Sequence, residues 1–235
     1  MIRGPVRFLA LATDYDATLA DAGVVAPRTV AALKRLKHSG RKLIMVTGRH
    51  LHDLQSVFPG LDIFDRVVAE NGALLFRPQS GKELLLCDPP PEKFVSRLRA
   101  RGVPISRGRA IVATEEPHRA EVMEAIHDLG LELHIIFNKG SVMVLPSGVN
   151  KATGLQRALA ELGIAAERVV GVGDAENDHA FLATCGCAVA VANALPAIRQ
   201  RAAWVTSAAH GGGVVELIEH LLHHDAVPDG RRRHP

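Results

Sequence analysis

Phe8-Leu9-Ala10-Leu11-Ala12-Thr13-Asp14-Tyr15-Asp16-Ala17-Thr18 is the stretch on which the reading of this 235-residue chain turns. The run from Phe8 to Thr13 is apolar at almost every position, without the alternation of a half-exposed strand. It therefore predicts a first strand buried on both faces, as in a parallel sheet covered by helices. Asp14 and Asp16 follow directly, at the carboxyl end of that strand, where open α/β sheets bind their ligands. Two carboxylates beside a buried strand are costly unless something neutralises them. One answer is a turn in which Asp and Thr side chains bond their own backbone. The other is a hard cation such as Mg²⁺, which takes one or two carboxylates and keeps several waters.

The rest of the chain continues the alternation. Pro27 suits the first helical position, Val30, Leu33 and Leu36 share a face, and Gly40 closes the helix. Lys42 to Val46 reads as the next buried strand, His50 to Phe58 as a short helix and Arg66 to Ala69 as a third strand. Asn71-Gly72 marks a turn before Ala73 to Phe76. Beyond position 148, a helix at 151–163 stops at Gly163, strands follow at 168–172 and 187–192, and a last helix runs from Val214 to His223. The predicted fold class is α/β, a doubly wound, Rossmann-like parallel sheet. Residues 78–148 break the rhythm: after Pro89-Pro90-Pro91 come a helix (91–101), a strand (109–114), a helix (117–129) and two strands (131–137, 141–145) joined at Asn138-Lys139-Gly140. This predicts a core of 1–77 and 149–235 with an α+β cap inserted at 78–148.

Three further clusters fall where buried runs end or helices begin. Thr47-Gly48-Arg49 ends the second strand, where a hydroxyl and backbone N–H groups hold a phosphate or simply cap a helix. Lys151 opens a helix, a position the macrodipole makes unfavourable for a cation unless an anion is bound there; a solvated lysine is the alternative. Gly173-Asp174-Ala175-Glu176-Asn177-Asp178 places three carboxylates within five residues after a buried strand, again asking for a cation. A dinucleotide loop is excluded, because the third glycine is missing and acidic residues repel a pyrophosphate.

Taken in order, Asp-x-Asp-x-Thr, then Thr, then Lys, then Gly-Asp-x-x-Asn-Asp resembles the haloacid dehalogenase superfamily of phosphotransferases over nearly the whole chain. Glu70-Asn71-Gly72-Ala73 and the inserted α/β unit resemble the Cof-type subgroup, whose members include sugar-phosphate and phosphoglycolate phosphatases. Ala17 departs from the family, which usually has glycine there. The resemblance implies a Mg²⁺-dependent phosphomonoesterase in which Asp14 is the nucleophile and Asp16 the general acid and base. It implies that Mg²⁺ is held by the Asp14 side chain, the Asp16 backbone carbonyl and Asp174, with Asn177 and Asp178 on its waters. Thr47, Gly48 and Lys151 would bind the phosphoryl group. A phosphomutase uses the same aspartates. A phospho-receiver domain uses a similar acidic set, but in about half this length and with its phosphorylated Asp on a later strand.

Composition narrows the class. At 47% hydrophobic and 23% charged the chain is a globular protein with no apolar run long enough to span a bilayer. The three cysteines (Cys87, Cys185, Cys187) are too few for a disulfide framework, and Cys185-Gly186-Cys187 lacks the second ligand pair of a zinc site. With no signal-like N-terminus, the expected location is the cytoplasm. The net charge of +3 owes much to Arg231, Arg232 and Arg233, a solvated tail rather than a nucleic-acid site. Residues 78–148 carry nine Lys or Arg and nine Asp or Glu. That balance predicts a small, weakly charged leaving group from a phosphorylated metabolite. Arg107 and Arg109, flanking Gly108, are the candidates for binding a carboxylate on it. His50, His52 and His179 lie close behind the motifs as candidate substrate contacts, and the oligomeric state is left open.

Overall fold

The computed structural model describes residues 7–138 and 140–228; the predicted Arg231–Arg233 tail and Lys139, within the expected cap turn, lie outside them. The chain runs β1 (Ala10–Thr13), α1 (Pro27–His38), β2 (Lys42–Val46), α2 (Leu51–Val57), β3 (Arg66–Ala69), β4 (Leu74–Arg77) and β5 (Lys82–Leu85). Then follow α3 (Glu92–Ala100), β6 (Ser106–Arg107), β7 (Val112–Glu115), α4 (Arg119–Asp128), β8 (Leu133–Asn138) and β9 (Ser141–Pro146). The last part is α5 (Lys151–Leu162), β10 (Val169–Gly173), α6 (His179–Thr184), β11 (Cys187–Ala190), α7 (Pro196–Arg201), β12 (Trp204–Val205) and α8 (His210–His224).

The large sheet has the order β12-β11-β10-β1-β2-β3-β4-β5, parallel from β12 to β3 and antiparallel from β3 to β5. From β1 the chain steps outward through β2 and β3, then returns at β10 and steps the other way. The direction of winding therefore reverses between β1 and β10, and the ends of those two strands face the crevice where such sheets bind ligands. Asp14 follows β1 and Asp174 follows β10.

Burial explains why the strands stand where they do. Leu11, Ala12, Leu43 to Val46, Val67 to Ala69 and Val169 to Val172 are fully enclosed between helix layers, apart from Gly171, which has no side chain. Leu33 and Leu36 of α1 and Leu217 and Ile218 of α8 join the same core. Truncating one such leucine to alanine costs about 2–5 kcal/mol. The second sheet, β6-β7-β9-β8, is antiparallel and packs one face on α3 and α4 through Phe94, Leu98, Val112, Val122, Val142 and Val144.

The sequence places 78–148 wholly in the insert, yet β5 pairs with β4 and extends the large sheet. Its residues Lys82 to Leu85 are mostly exposed and mixed in polarity, as an edge strand allows. Trp204 sits half-buried on the other edge with its ring edge-on to His220 at 5.1 Å. No helix among the described residues is long and apolar enough to cross a membrane.

Candidate active site

Asn150 caps α5: its side chain accepts from the N–H groups of Ala152 and Thr153, at 2.9 and 3.1 Å. Gly154 lets this helix press onto the sheet, since a Cβ there would stand 2.5 Å from Val68 Cγ1. Lys151, the first helical residue, is thereby driven under the ends of β1 and β10 and is 2% exposed. Its ammonium lies 2.6 Å from Asp14 Oδ1 and 2.6 Å from Asp178 Oδ1. This answers the alternative raised by its helix position: the lysine is buried against carboxylates, not solvated.

Asp14, Asp174 and Asp178 are all buried, with carboxylate oxygens within 4.8 Å of one another. Asp178 Oδ2 accepts from the N–H groups of Asp174 and Ala175 at 2.9 and 3.0 Å, which folds the loop after β10. Gly173 is required there, because a Cβ would come within 2.6 Å of Asp178. Asp174 Oδ1 accepts from Thr18 Oγ1 at 3.0 Å, joining the two loops. Burial first, and then the neighbouring Asp178, push the Asp14 carboxyl up to about 8, against the opposing pull of Lys151. Burial pulls Lys151 down, but Asp14 and Asp178 more than offset it, so its ammonium stays charged.

With all three carboxylates ionised, the one ammonium leaves two negative charges, a deficit that one divalent cation closes. The donors are all oxygens, which favours a hard ion over zinc. Asn177 Oδ1 is buried without a hydrogen-bond partner among the described residues, and offers a further acceptor there. The residues fit a divalent metal.

Asp16 stands at the rim. Its carboxylate takes a bidentate pair of hydrogen bonds from Arg49, Nε and one terminal nitrogen each at 2.7 Å, while the guanidinium lies over the Tyr15 ring. Tyr15 itself is buried and donates to the Gly23 carbonyl at 2.8 Å, away from the carboxylates. Ala17 sits at φ 61°, the left-handed region that favours glycine. Its carbonyl is pinned by Asn193 Nδ2 at 2.8 Å and His210 Nδ1 at 3.0 Å. Thr47 is fully buried with its hydroxyl accepting from the Arg49 N–H at 3.1 Å, and Gly48 passes close to the Asn71 amide.

Arg107 and Arg109 turn elsewhere. Arg107 bonds Glu92 at 2.6 Å and Arg109 bonds Glu83 at 3.0 Å. Both line a cavity of about 330 Å³ with Leu51, His52, Gln55 and Glu70, whose walls include none of the carboxylates gathered around Lys151. Glu83 lies on β5, so this ion pair joins the large sheet to the cap. His179 pairs with Arg201 at the surface, and His50 reaches Ser106 Oγ at 3.2 Å. Cys185 packs behind β10, where burial pushes its thiol up to about 12, as befits a packing residue. Arg49, Thr18, Glu70 and Asn71 are the residues the sequence did not single out for a role. Thr18 and Arg49 stood inside quoted motifs without a role of their own, and Glu70-Asn71-Gly72 entered only as part of a subgroup resemblance.

A family model described as haloacid dehalogenase-like hydrolase matches residues 11–100 and 109–218. The phosphoglycolate phosphatase of Methanothermobacter thermautotrophicus is 34% identical over 221 residues, covering 91% of this chain and 98% of that protein. Phosphoglycolate phosphatase 2 of Saccharolobus solfataricus is 31% identical over 222 residues, covering 90% and 91%. The crystal structure of a haloacid dehalogenase-like hydrolase from Bacteroides thetaiotaomicron superposes with a TM-score of 0.77 at 17% identity, covering 91% of this chain and 99% of that one.

Proposed function

The chain belongs to the haloacid dehalogenase-like hydrolases of the Cof type, a phosphatase of small phosphorylated substrates, and from that membership we propose a Mg²⁺-dependent phosphomonoesterase working through an aspartyl-phosphate on Asp14. The observation that carries the reading is the buried group of Asp14, Asp174 and Asp178 around Lys151, where the sheet reverses its winding.

Asp14, Asp174 and the Asp16 carbonyl would hold the metal, with Asn177 and Asp178 on its waters. Bound there, Mg²⁺ supplies positive charge to the carboxylates and the phosphoryl oxygens. The Asp14 carboxylate attacks phosphorus, and Asp16 gives a proton to the departing oxygen. Asp16 then takes a proton from water, whose oxygen attacks the phosphorus of the aspartyl-phosphate and frees Asp14. Lys151, the Thr47 hydroxyl and the Gly48 backbone would hold the phosphoryl oxygens where charge develops.

The substrate we propose is a small ester, phosphoglycolate or a close analogue, with a sugar phosphate as the neighbouring choice. Its support is the name of the two relatives at 34% and 31% identity and the net neutrality of residues 78–148. We divide the chain into a core and an inserted cap as the sequence does, with the boundary moved past Leu85 because β5 belongs to the large sheet. Cytoplasmic location is part of the same proposal, in keeping with three free cysteines. The test is release of inorganic phosphate from a panel of phosphate monoesters. Chelator should abolish turnover and Mg²⁺ should restore it; undiminished turnover in excess chelator refutes the metal's role.

A further inference from the structure

Glu70 and Asn71 are 1% and 0% exposed and lie at φ 53° and 52°, followed by Gly72 at φ 102°. Two consecutive non-glycine residues in the left-handed region persist only where the surroundings hold them, and such strain gathers at functional sites. Here three parts of the molecule do the holding.

The Glu70 N–H donates to the Arg49 carbonyl and the Asn71 N–H to the Thr47 carbonyl, each at 3.0 Å. The dipeptide's backbone thus grips both ends of the loop assigned to phosphate. Its side chains point to the cap and the loop after β10. Glu70 Oε1 accepts from the Arg109 N–H at 2.8 Å, and Oε2 accepts from those of Ala110 and Ile111 at 2.8 and 3.1 Å. Gly108 makes this approach possible, since a Cβ there would lie 2.5 Å from Oε2. Asn71 donates to Met143 Sδ of β9 at 2.7 Å and accepts from Asn177 at 3.1 Å. Gly72 backs onto the Asn150 carbonyl, the cap of the helix that carries Lys151.

We infer that Glu70 is a positioning residue: it ties the cap strands to the phosphate loop and thereby sets which leaving group the enzyme accepts. The inference rests on the phosphatase reading above and deepens it. Glu70 is not aimed at the reacting atoms; its carboxylate is spent on three cap amides. A cap displaced at 108–111 either breaks those hydrogen bonds or drags the backbone that supports Thr47 and Arg49. The fit of a leaving group against the cap is in this way felt at the phosphate.

The test uses the full-length enzyme with Mg²⁺ and the variant Glu70→Gln, which sets an NH₂ group against one or more of the amide donors. Charge-assisted hydrogen bonds of this kind are lost at a cost of about tenfold or more. The amides of Arg109 to Ile111 should then exchange hydrogen about tenfold faster. In the same variant, kcat/KM for 2-phosphoglycolate should fall about tenfold, mainly through KM, while kcat for p-nitrophenyl phosphate, which asks little of the cap, stays within about threefold. Gly108→Ala perturbs the same contact from the cap side and should reproduce the pattern, which covers the case of a Glu70 variant that does not fold. An unchanged ratio between the two esters, or a parallel loss on both with KM unmoved, overturns the inference. If the parent enzyme hydrolyses neither ester, the phosphatase reading fails on its own. The exchange rates then still judge the contact: unaltered exchange at 109–111 overturns it.

Discussion

Replacing Lys151 with methionine keeps an unbranched, apolar stem and removes the ammonium, with its charge and its hydrogen bonds to Asp14 and Asp178. The ammonium lies 2.6 Å from each of two carboxylate oxygens. At an effective dielectric of about 20, each contact is worth about 6 kcal/mol before desolvation is counted. Desolvation offsets most of that, and removing one partner of a buried pair costs about 3–5 kcal/mol because a charge is left uncompensated. For a chain of 235 residues, each kcal/mol moves the melting midpoint by roughly 2–4 °C, so the expected drop is roughly 6–20 °C. The assay is thermal unfolding followed by circular dichroism, once with chelator and once with saturating Mg²⁺. The loss should be large in chelator and smaller with Mg²⁺, since the metal takes over part of the neutralisation. Adding Asp14→Asn to Lys151→Met removes one stranded charge and should recover part of the midpoint. A Lys151→Met protein melting within about 2 °C of the parent in chelator would refute the electrostatic account of this site.

Asp16→Ala should slow turnover about 10²–10⁴-fold by loss of acid and base help, with phosphate burst kinetics showing which half-reaction suffers. Ala17→Gly relieves a left-handed backbone that costs an L-residue about 1–2 kcal/mol, while glycine's extra unfolded entropy returns about 0.5–1 kcal/mol. The result should be a gain between zero and about 1.5 kcal/mol, read as a higher urea midpoint at unchanged slope; a lowered midpoint contradicts it. Burial holds His50 below its ordinary value of 6.5, against the pull of Glu70 and Asp53, so the folded protein keeps it neutral. Its contribution is present above pH 6.5 and is lost as pH falls toward the lowered folded value. The urea midpoint should therefore drop less between pH 7.5 and pH 5.5 in His50→Gln than in the parent, and equal drops would exclude His50 as the cause.

The parts of the fold legible in the sequence are those whose physics is local. Lys42–Val46 and Arg66–Ala69 read correctly because strands buried on both faces are nearly unbroken apolar runs. Helix α5 was announced by its stop at Gly163, which lies at φ 64°, whereas its Asn150 cap came to light only in the structure. By contrast β5, β6 and β12 are edge pieces of only four, two and two residues, and α6 and α7 span six residues each, too short to show a helical period. The same division runs through the site. Asp14, Asp174, Asp178 and Lys151 betray themselves as charges beside buried runs. Arg49 and Glu70 do not, because their partners lie 33 or more positions away and, for Glu70, are backbone amides that no side-chain pattern records. Arg107 and Arg109 show the converse: a conspicuous pair in sequence whose charges the fold answers with Glu92 and Glu83.

Asp14, in the proposed reaction, carries the phosphoryl group. The most direct measurement is a rapid-quench single turnover of 2-phosphoglycolate with excess enzyme and Mg²⁺, followed by peptide mass spectrometry. One phosphoryl group should appear on Asp14 before inorganic phosphate is released, and should decay as phosphate forms. Phosphate appearing as fast as the ester disappears with Asp14 unmodified, or a phosphoryl group on another residue, would contradict it.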